Sequence, residues 1–221
     1  MNTGIQDGYN LAWKIWLVLQ GNADAVKILE TYNEERLENA KNLLETTDRM
    51  FELAASPKWF ISYSRTHIFP YIARFAFSID AIKKFVFPRV SQIGINYRHG
   101  SLSETDGNFS VKAGDRMPYL TIEDASIYDR LREPKSHLLT FFDGQNEPQN
   151  SAEELRNSYS NLADFHELPL YPNIAEIFGT EKSFSILLRP DNYIGTISSD
   201  TSFETAENYI NRIFSKTEIR P

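Results

Sequence analysis

The apolar periodicity of this chain changes once, and that change limits the folds open to it. Up to about residue 98, apolar residues recur three and four apart, the spacing of helices with one buried face. Beyond about residue 112, short continuous apolar runs bounded by turn residues take over, which is the pattern of strands. Between them, His99-Gly-Ser-Leu-Ser-Glu-Thr-Asp-Gly-Asn108 is polar and turn-rich, and predicts a linker over residues 99–112. The predicted organisation is therefore a helical segment over 1–98 followed by an α/β domain over 113–221.

The helical segment opens with Met1-Asn-Thr-Gly-Ile-Gln-Asp-Gly-Tyr-Asn-Leu-Ala-Trp-Lys14. Thr3 and Gln6 have the spacing of a capping box. A first helix is predicted from about Gly4 to Gln20, ended by Gly21, with Ile5, Ala12, Ile15 and Leu19 as its apolar stripe and Leu11 and Val18 beside it. The first N–H groups of any helix lack intrahelical partners and suit a negatively polarised oxygen, and Gly4 permits close approach. Asp7 reads as a helix-stabilising acid in the first turn. Asn22 or Asp24 caps a second helix, with Ile28, Leu29, Tyr32, Ala40, Leu43 and Leu44 inward. Glu34, Glu35 and Glu38 are expected mostly outward, a solvated face rather than acid–base machinery. Pro57 marks a break, and Pro70 and Pro88 divide the stretch beyond it into helical pieces. The aromatic stretch Trp59–Val90 predicts buried helices packing on another domain or subunit. Arg65, His67, Arg74, Asp80, Lys83 and Lys84 interrupt it too often for a membrane span.

In the second half, His137–Phe142 reads as a buried strand ending at Asp143-Gly144. Ser151 and Glu154 cap a helix bearing Leu155, Tyr159 and Leu162. Phe184–Arg189 and Tyr193–Ile197 read as strands joined by the turn Pro190-Asp191-Asn192. Thr201 and Glu204 cap a final helix carrying Ala206, Ile210, Ile213 and Phe214. This order predicts a thioredoxin-like α/β domain.

The chain contains no cysteine, which excludes disulfide exchange, thiolate catalysis and Cys-type zinc sites. His67, His99, His137 and His166 show no metal-ligand spacing, and no metal site is predicted. Asp115-Arg116 reads as a turn with a local ion pair. No G-x-S-x-G elbow points to a hydrolase. The net charge of −7 argues against a nucleic-acid partner. No signal-peptide pattern follows Met1, so the expected location is cytoplasmic.

Met1, Asn2, Thr3, Gly4, Ile5, Gln6, Asp7, Asn10, Leu11, Trp13 and Lys14 resemble the M-N-T-G-I-Q-D-x-x-N-L-x-W-K segment of FAD-dependent aromatic-ring hydroxylases of the phenol hydroxylase type. Tyr32-Asn-Glu-Glu-Arg36 is similar to that family's Y-x-x-E-R. Gln92-x-Gly94-Ile95-x-Tyr97-Arg98-x-x-Ser101, Ala113-Gly-Asp-Arg116-x-Pro118 and Leu188-Arg-Pro-Asp191-x-Tyr193-Ile194-Gly195 resemble later blocks in the same order. No G-x-G-x-x-G phosphate-binding turn occurs. The resemblance thus implies the C-terminal part of such an enzyme: the last helices of the FAD/substrate domain over 1–98, then a cysteine-free thioredoxin-like domain.

The resemblance further implies FAD as cofactor, NADH or NADPH as co-substrate, and hydroxylation of an aromatic small molecule. It places Met1, Asn2, Thr3 and Gly4 against the flavin, with no catalytic residue of its own. The chain is expected not to be catalytic alone, and to work as a homo-oligomer or with a complementing flavin-domain chain. The alternative is a non-enzymatic thioredoxin-like interaction or oligomerisation module left by truncation.

Overall fold

The computed structural model describes residues 2–78, 94–144, 156–200 and 203–214. The chain forms two compact units, Met1–Asn33 together with Asn96–Pro221, and Glu34–Ile95.

The first unit is built on a five-stranded mixed sheet. Its strands are β1 (Glu104–Asp106), β4 (Ser136–Phe142), β5 (Ala163–Pro169), β6 (Phe184–Leu188) and β7 (Ile194–Ser198). Their order is β1-β7-β6-β4-β5. A separate two-stranded ribbon pairs β2 (Thr121–Ile122) with β3 (Ala125–Ser126). β4 and β5 are parallel, with Leu139 opposite His166, whereas β4–β6 and β6–β7 are antiparallel. Parallel neighbours need a crossover, here residues 143–162, of which 156–159 are helical. The cap expected at Ser151 and Glu154, and Leu155 after it, lie outside the described residues.

Alternation along the strands divides the core in two. Leu139, Phe141, Phe184, Ile186, Leu188, Ile194 and Ile197 point to one side, where Phe109, Met117, Ile174 and Phe178 meet them. Phe141, Phe178 and Phe184 pack together with ring centroids 4.9 to 5.9 Å apart, Phe141 and Phe184 stacked and Phe178 tilted against both. Leu138 and Leu187 point to the other side, against Trp13 and Leu17 of α1 (Asn2–Leu19) and Tyr209, Ile210 and Ile213 of α7 (Glu204–Ile213). A sheet covered on both faces needs apolar residues at consecutive positions, which is why β4 and β6 read as unbroken runs. The short helices α5 (Ile127–Arg130) and α6 (Pro172–Phe178) complete this unit, α6 starting on Pro172 and ending at Gly179 with φ 73°.

Residues 99–112, read from sequence as a linker, hold β1, which runs parallel to β7. Two anchors fix it there: the Ser198 hydroxyl donates to Asp106 Oδ2 at 2.8 Å, and the Ser199 N–H donates to the Asp106 carbonyl at 3.1 Å. Polar side chains on an edge strand leave no apolar run to recognise.

Of the expected caps, Asp24 takes its place before the second helix, where its Oδ1 accepts from the Lys27 N–H at 2.9 Å, whereas the Thr3 cap differs from expectation. α1 begins at Asn2, so Thr3 lies inside the first turn rather than before it. α7 begins at Glu204 after Phe203, whose backbone is left-handed (φ 67°) and which makes no side-chain cap; Thr201 lies outside the described residues.

The second helix, α2 (Ala25–Ala55), runs out of the first unit into the second. Its buried positions Ile28, Thr31, Glu35 and Arg36 lie on one helical face. Glu35 is therefore inside, contrary to the solvated face expected, with Arg36 buried beside it, while Leu29, Leu43 and Leu44, expected inward, are exposed. The remainder of the second unit contains α3 (Trp59–His67) and α4 (Phe69–Ser78). Breaks fall near Pro57 and Pro70 as predicted, and Pro88 lies outside the described residues. Trp59, Phe60, Tyr63, Phe69, Tyr71 and Phe75 are all exposed in this chain, Trp59 to 80%. The aromatic stretch was expected to pack, and its described part meets solvent here. Among the described residues, no helix is long and apolar enough to cross a membrane.

Candidate functional site

The two ends of the sequence meet at α1. Asn10, Trp13, Lys14 and Leu17 form its buried face, three and four residues apart. The hairpin turn between β6 and β7 supports that face. Pro190 and Asp191 are the central residues of this turn, closed by Asn192 N–H donating to the Arg189 carbonyl at 3.0 Å. Asn192 then takes a left-handed conformation (φ 62°), one that asparagine tolerates.

Asp191 is the centre of the contact. Its Oδ2 accepts from Asn10 Nδ2 at 3.2 Å, Trp13 Nε1 at 3.1 Å and Arg189 Nη2 at 2.6 Å. Its Oδ1 accepts from Arg189 Nε at 3.0 Å, so the guanidinium grips the carboxylate with two donors. Both side chains are only 2% exposed. The Arg189 guanidinium also lies 5.1 Å from the Trp13 ring centre and 5.3 Å from that of Tyr97. The Tyr9 hydroxyl donates to the Pro190 carbonyl at 2.8 Å. Burial, and next the Asp191 charge, push the Tyr9 hydroxyl above its ordinary pKa. Tyr193 is raised more strongly, by burial first and then by Tyr97 and Asp191. A small cavity of about 50 Å³ remains among Gln6, Tyr9, Asn10, Tyr97, Arg116, Asp191 and Tyr193.

The candidate residues themselves sit at the open end of this helix. Asn2, Thr3 and Gly4 are consecutive in the first turn, while Met1 lies outside the described residues. Gly4 and Gly8 share one face, and a Cβ built on either meets nothing within 4 Å. Ile5, Ile15, Trp16 and Leu19 are exposed, Ile5 to 68% and Leu19 to 77%. The apolar stripe read from the sequence therefore faces outward in this chain. The more polar side, with Trp13 and Leu17, is the one seated on the sheet. An exposed first turn with space beyond Gly4 fits the approach of a flat, polar ring edge to backbone N–H groups. No phosphate-cradling glycine turn occurs in the sequence, so these residues fit one edge of a flavin and not its pyrophosphate.

Two further groupings escape sequence reasoning. The ion pair at the Ala113-Gly-Asp-Arg116 turn joins Asp115 not to Arg116 but to Arg98, through contacts of 2.7 and 2.9 Å. His137 Nδ1 and His166 Nε2 lie 3.1 Å apart across β4 and β5, with His137 Nε2 at 3.1 Å from the Glu133 carbonyl. Burial holds both imidazoles below the ordinary histidine range, and His137 adds to the effect on His166. Only the strand register brings these two histidines together, and no spacing rule contains it.

Residues 1–47 match the family described as "FAD binding domain". A flavin-dependent monooxygenase of Mycobacteroides abscessus is 27% identical over 96% of this chain. Pentachlorophenol 4-monooxygenase of Sphingobium chlorophenolicum is 28% identical over 88% of it. The chain spans 36% and 38% of the length of those two relatives. In fold it is similar to the flavin-dependent monooxygenase PieE, whose structure holds FAD and substrate, with a TM-score of 0.67 at 20% identity, covering 96% of this chain and 44% of PieE. The aligned relatives extend through both the helical and the α/β halves, in agreement with the order of the motif blocks. The first 47 residues thus match an FAD-binding family, and the chain as a whole is similar to part of the length of flavin-dependent monooxygenases.

Proposed function

We propose that this chain contributes to an FAD-dependent monooxygenase that hydroxylates phenol-like aromatic substrates, with NADH or NADPH as electron donor. The observation that carries this reading is α1: the segment matching an FAD-binding family presents an open first turn and an outward apolar stripe. When bound, FAD would supply the oxygen activation that amino-acid side chains cannot. The part of this chain is narrower. The backbone around Met1, Asn2, Thr3 and Gly4 would meet the pyrimidine edge of the ring, where the positive helix end favours added electron density. Ile5, Ile15, Trp16 and Leu19 would pack against the remainder of a flavin domain, which also holds the pyrophosphate. The α/β unit, whose parallel pair, antiparallel hairpin and closing helix support a thioredoxin-like reading, would brace this helix.

The first test is an FAD titration of the 221-residue chain, alone and co-expressed with the remaining portion of a relative such as pentachlorophenol 4-monooxygenase. NAD(P)H oxidation with a panel of phenols is measured on the same samples. Binding and turnover only in the combined sample are the expected result. A dissociation constant near or below about 1 μM for the chain alone, roughly −8 kcal/mol, would overturn the partial-site reading. Absence of flavin binding in the combined sample would overturn the flavin reading itself.

A second reading, a non-enzymatic association module, rests on the exposed aromatics of α3 and α4. Oligomers that form without flavin binding in either sample would favour it.

A further inference from the structure

We infer that Asp191 is a positioning residue, clasping α1 so that the β6–β7 hairpin sets the placement of the helix's first turn. The flavin part of this inference rests on the function proposed for the chain; the clasp does not.

The clasp joins two motifs that lie far apart in sequence. Asn10 and Trp13 belong to the opening block, Arg189 and Asp191 to the late hairpin, and Asn10 and Asp191 are 181 positions apart. One carboxylate oxygen accepts from three donors, two on α1 and one on the hairpin. That arrangement has little angular freedom. Moving the helix breaks two charge-assisted contacts at once, inside a site that water does not reach to replace them. Buried pairs of this kind contribute modestly to net stability, because desolvation offsets attraction, but removing one partner is costly. Their best-attested use is to fix one geometry among several.

The helix converts that fixation into placement of its end. At about 1.5 Å per residue, Thr3 and Gly4 lie on the order of 10 Å beyond Asn10 and Trp13. A helix is stiff over two turns, so a tilt at the clasp displaces the first turn in proportion. The Tyr9 contact to the Pro190 carbonyl adds a point off the axis and resists rotation. The turn itself is held rigidly, since Met117 N–H donates to the Asn192 carbonyl at 2.9 Å and Arg189 N–H to the Tyr193 carbonyl at 2.9 Å. A ligand at the first turn would therefore sense the α/β unit through Asp191.

The test compares Asp191→Asn with the parent in the full 221-residue chain by amide hydrogen exchange. Asparagine keeps the shape and removes the charge. The expected result is exchange at least about tenfold faster over Tyr9–Leu17, with the amides of β4 and β6 changed less than about threefold. If Asp191→Asn fails to fold, Trp13→Phe removes one donor, keeps an aromatic ring, and gives the same contrast at smaller size. Acceleration spread evenly over helix and sheet, or none in α1, would overturn the clasp.

A second arm uses the co-expressed, flavin-loaded sample and reads the visible absorption band and the FAD dissociation constant. Asp191→Asn is expected to shift the band and weaken FAD binding about tenfold. A loosened α1 with unchanged band and affinity would overturn the positioning role. A parent sample that binds no FAD would overturn the flavin reading and leave the exchange result standing on its own.

Discussion

At the scale of single residues, two glycines of this chain predict opposite outcomes. Gly114 has φ +84°, and a Cβ there would lie 2.4 Å from the backbone of Tyr97 and Arg98. Gly114→Ala is expected to destabilise the chain by more than about 1 kcal/mol, read as a lower urea midpoint at unchanged slope. Gly8 is helical and a Cβ there meets nothing, so Gly8→Ala should stabilise by about 0.5–1 kcal/mol through helix propensity alone. If α1 faces a flavin domain on that side, the same change weakens FAD binding in the combined sample. Greater stability with weaker binding is an outcome that a purely structural α1 does not give. The histidine pair gives a pH prediction. His137 and His166 both titrate below their ordinary value when folded, with Glu133, Asp164, Lys135, Arg130 and Arg156 as their charged neighbours. The unfolded chain then binds more protons, so the stabilisation is complete above the unfolded pKa of about 6.5 and is lost as pH falls below it. Urea unfolding at pH 7.5 and at pH 5.5 should show a lower midpoint at the acid value, and His166→Asn should shrink that difference.

At the scale of elements, α1 separates what periodicity shows from what it leaves open. Its apolar residues recur at helical spacing, and a helix forms there. Periodicity did not say which face packs on the sheet. Trp13 and Leu17 do, and the stripe through Ile5, Ile15 and Leu19 does not. Two substitutions two positions apart measure this. Leu17 is 1% exposed, so Leu17→Ala should cost about 2–5 kcal/mol, whereas Leu19→Ala should stay within about 0.5 kcal/mol in the isolated chain. Equal effects at both positions would place the packing face elsewhere. The strands β4, β6 and β7 and the Pro190-Asp191-Asn192 turn were legible, because buried apolar runs and a proline-led turn are local signals. β5 and β1 were not located from their residues. Ala-Asp-Phe-His-Glu-Leu-Pro mixes polar and apolar residues because β5 is an edge strand, and Glu-Thr-Asp in β1 carries no apolar residue at all.

At the scale of the whole molecule, the exposed aromatic side chains of α3 and α4 are the largest unexplained feature of the second unit. Trp59, Phe60, Tyr63, Phe69, Tyr71 and Phe75 lie within two consecutive helices, and large apolar side chains exposed so closely in sequence favour association. The isolated chain is therefore expected to self-associate at micromolar concentration. Sedimentation velocity over a dilution series checks this, and Trp59→Ser with Phe75→Ser should lower the sedimentation coefficient. A monomer at all concentrations would remove association as a role for this surface.

The sequence by itself determined the resemblance to FAD-dependent aromatic-ring hydroxylases, through motif blocks whose residues keep their order and spacing, and the α/β class of the second half, through the change of periodicity. It also excluded thiol chemistry outright, since no cysteine is present. Only the tertiary structure decided that α1 shares a core with the sheet, that Asp191 gathers Asn10, Trp13 and Arg189, and that His137 meets His166. The reason is physical. Periodicity and capping act over three or four residues, so they report helices, strands and turns. Contacts between residues 181 or 29 positions apart depend on strand register and on which helix face is seated, and no local pattern encodes either.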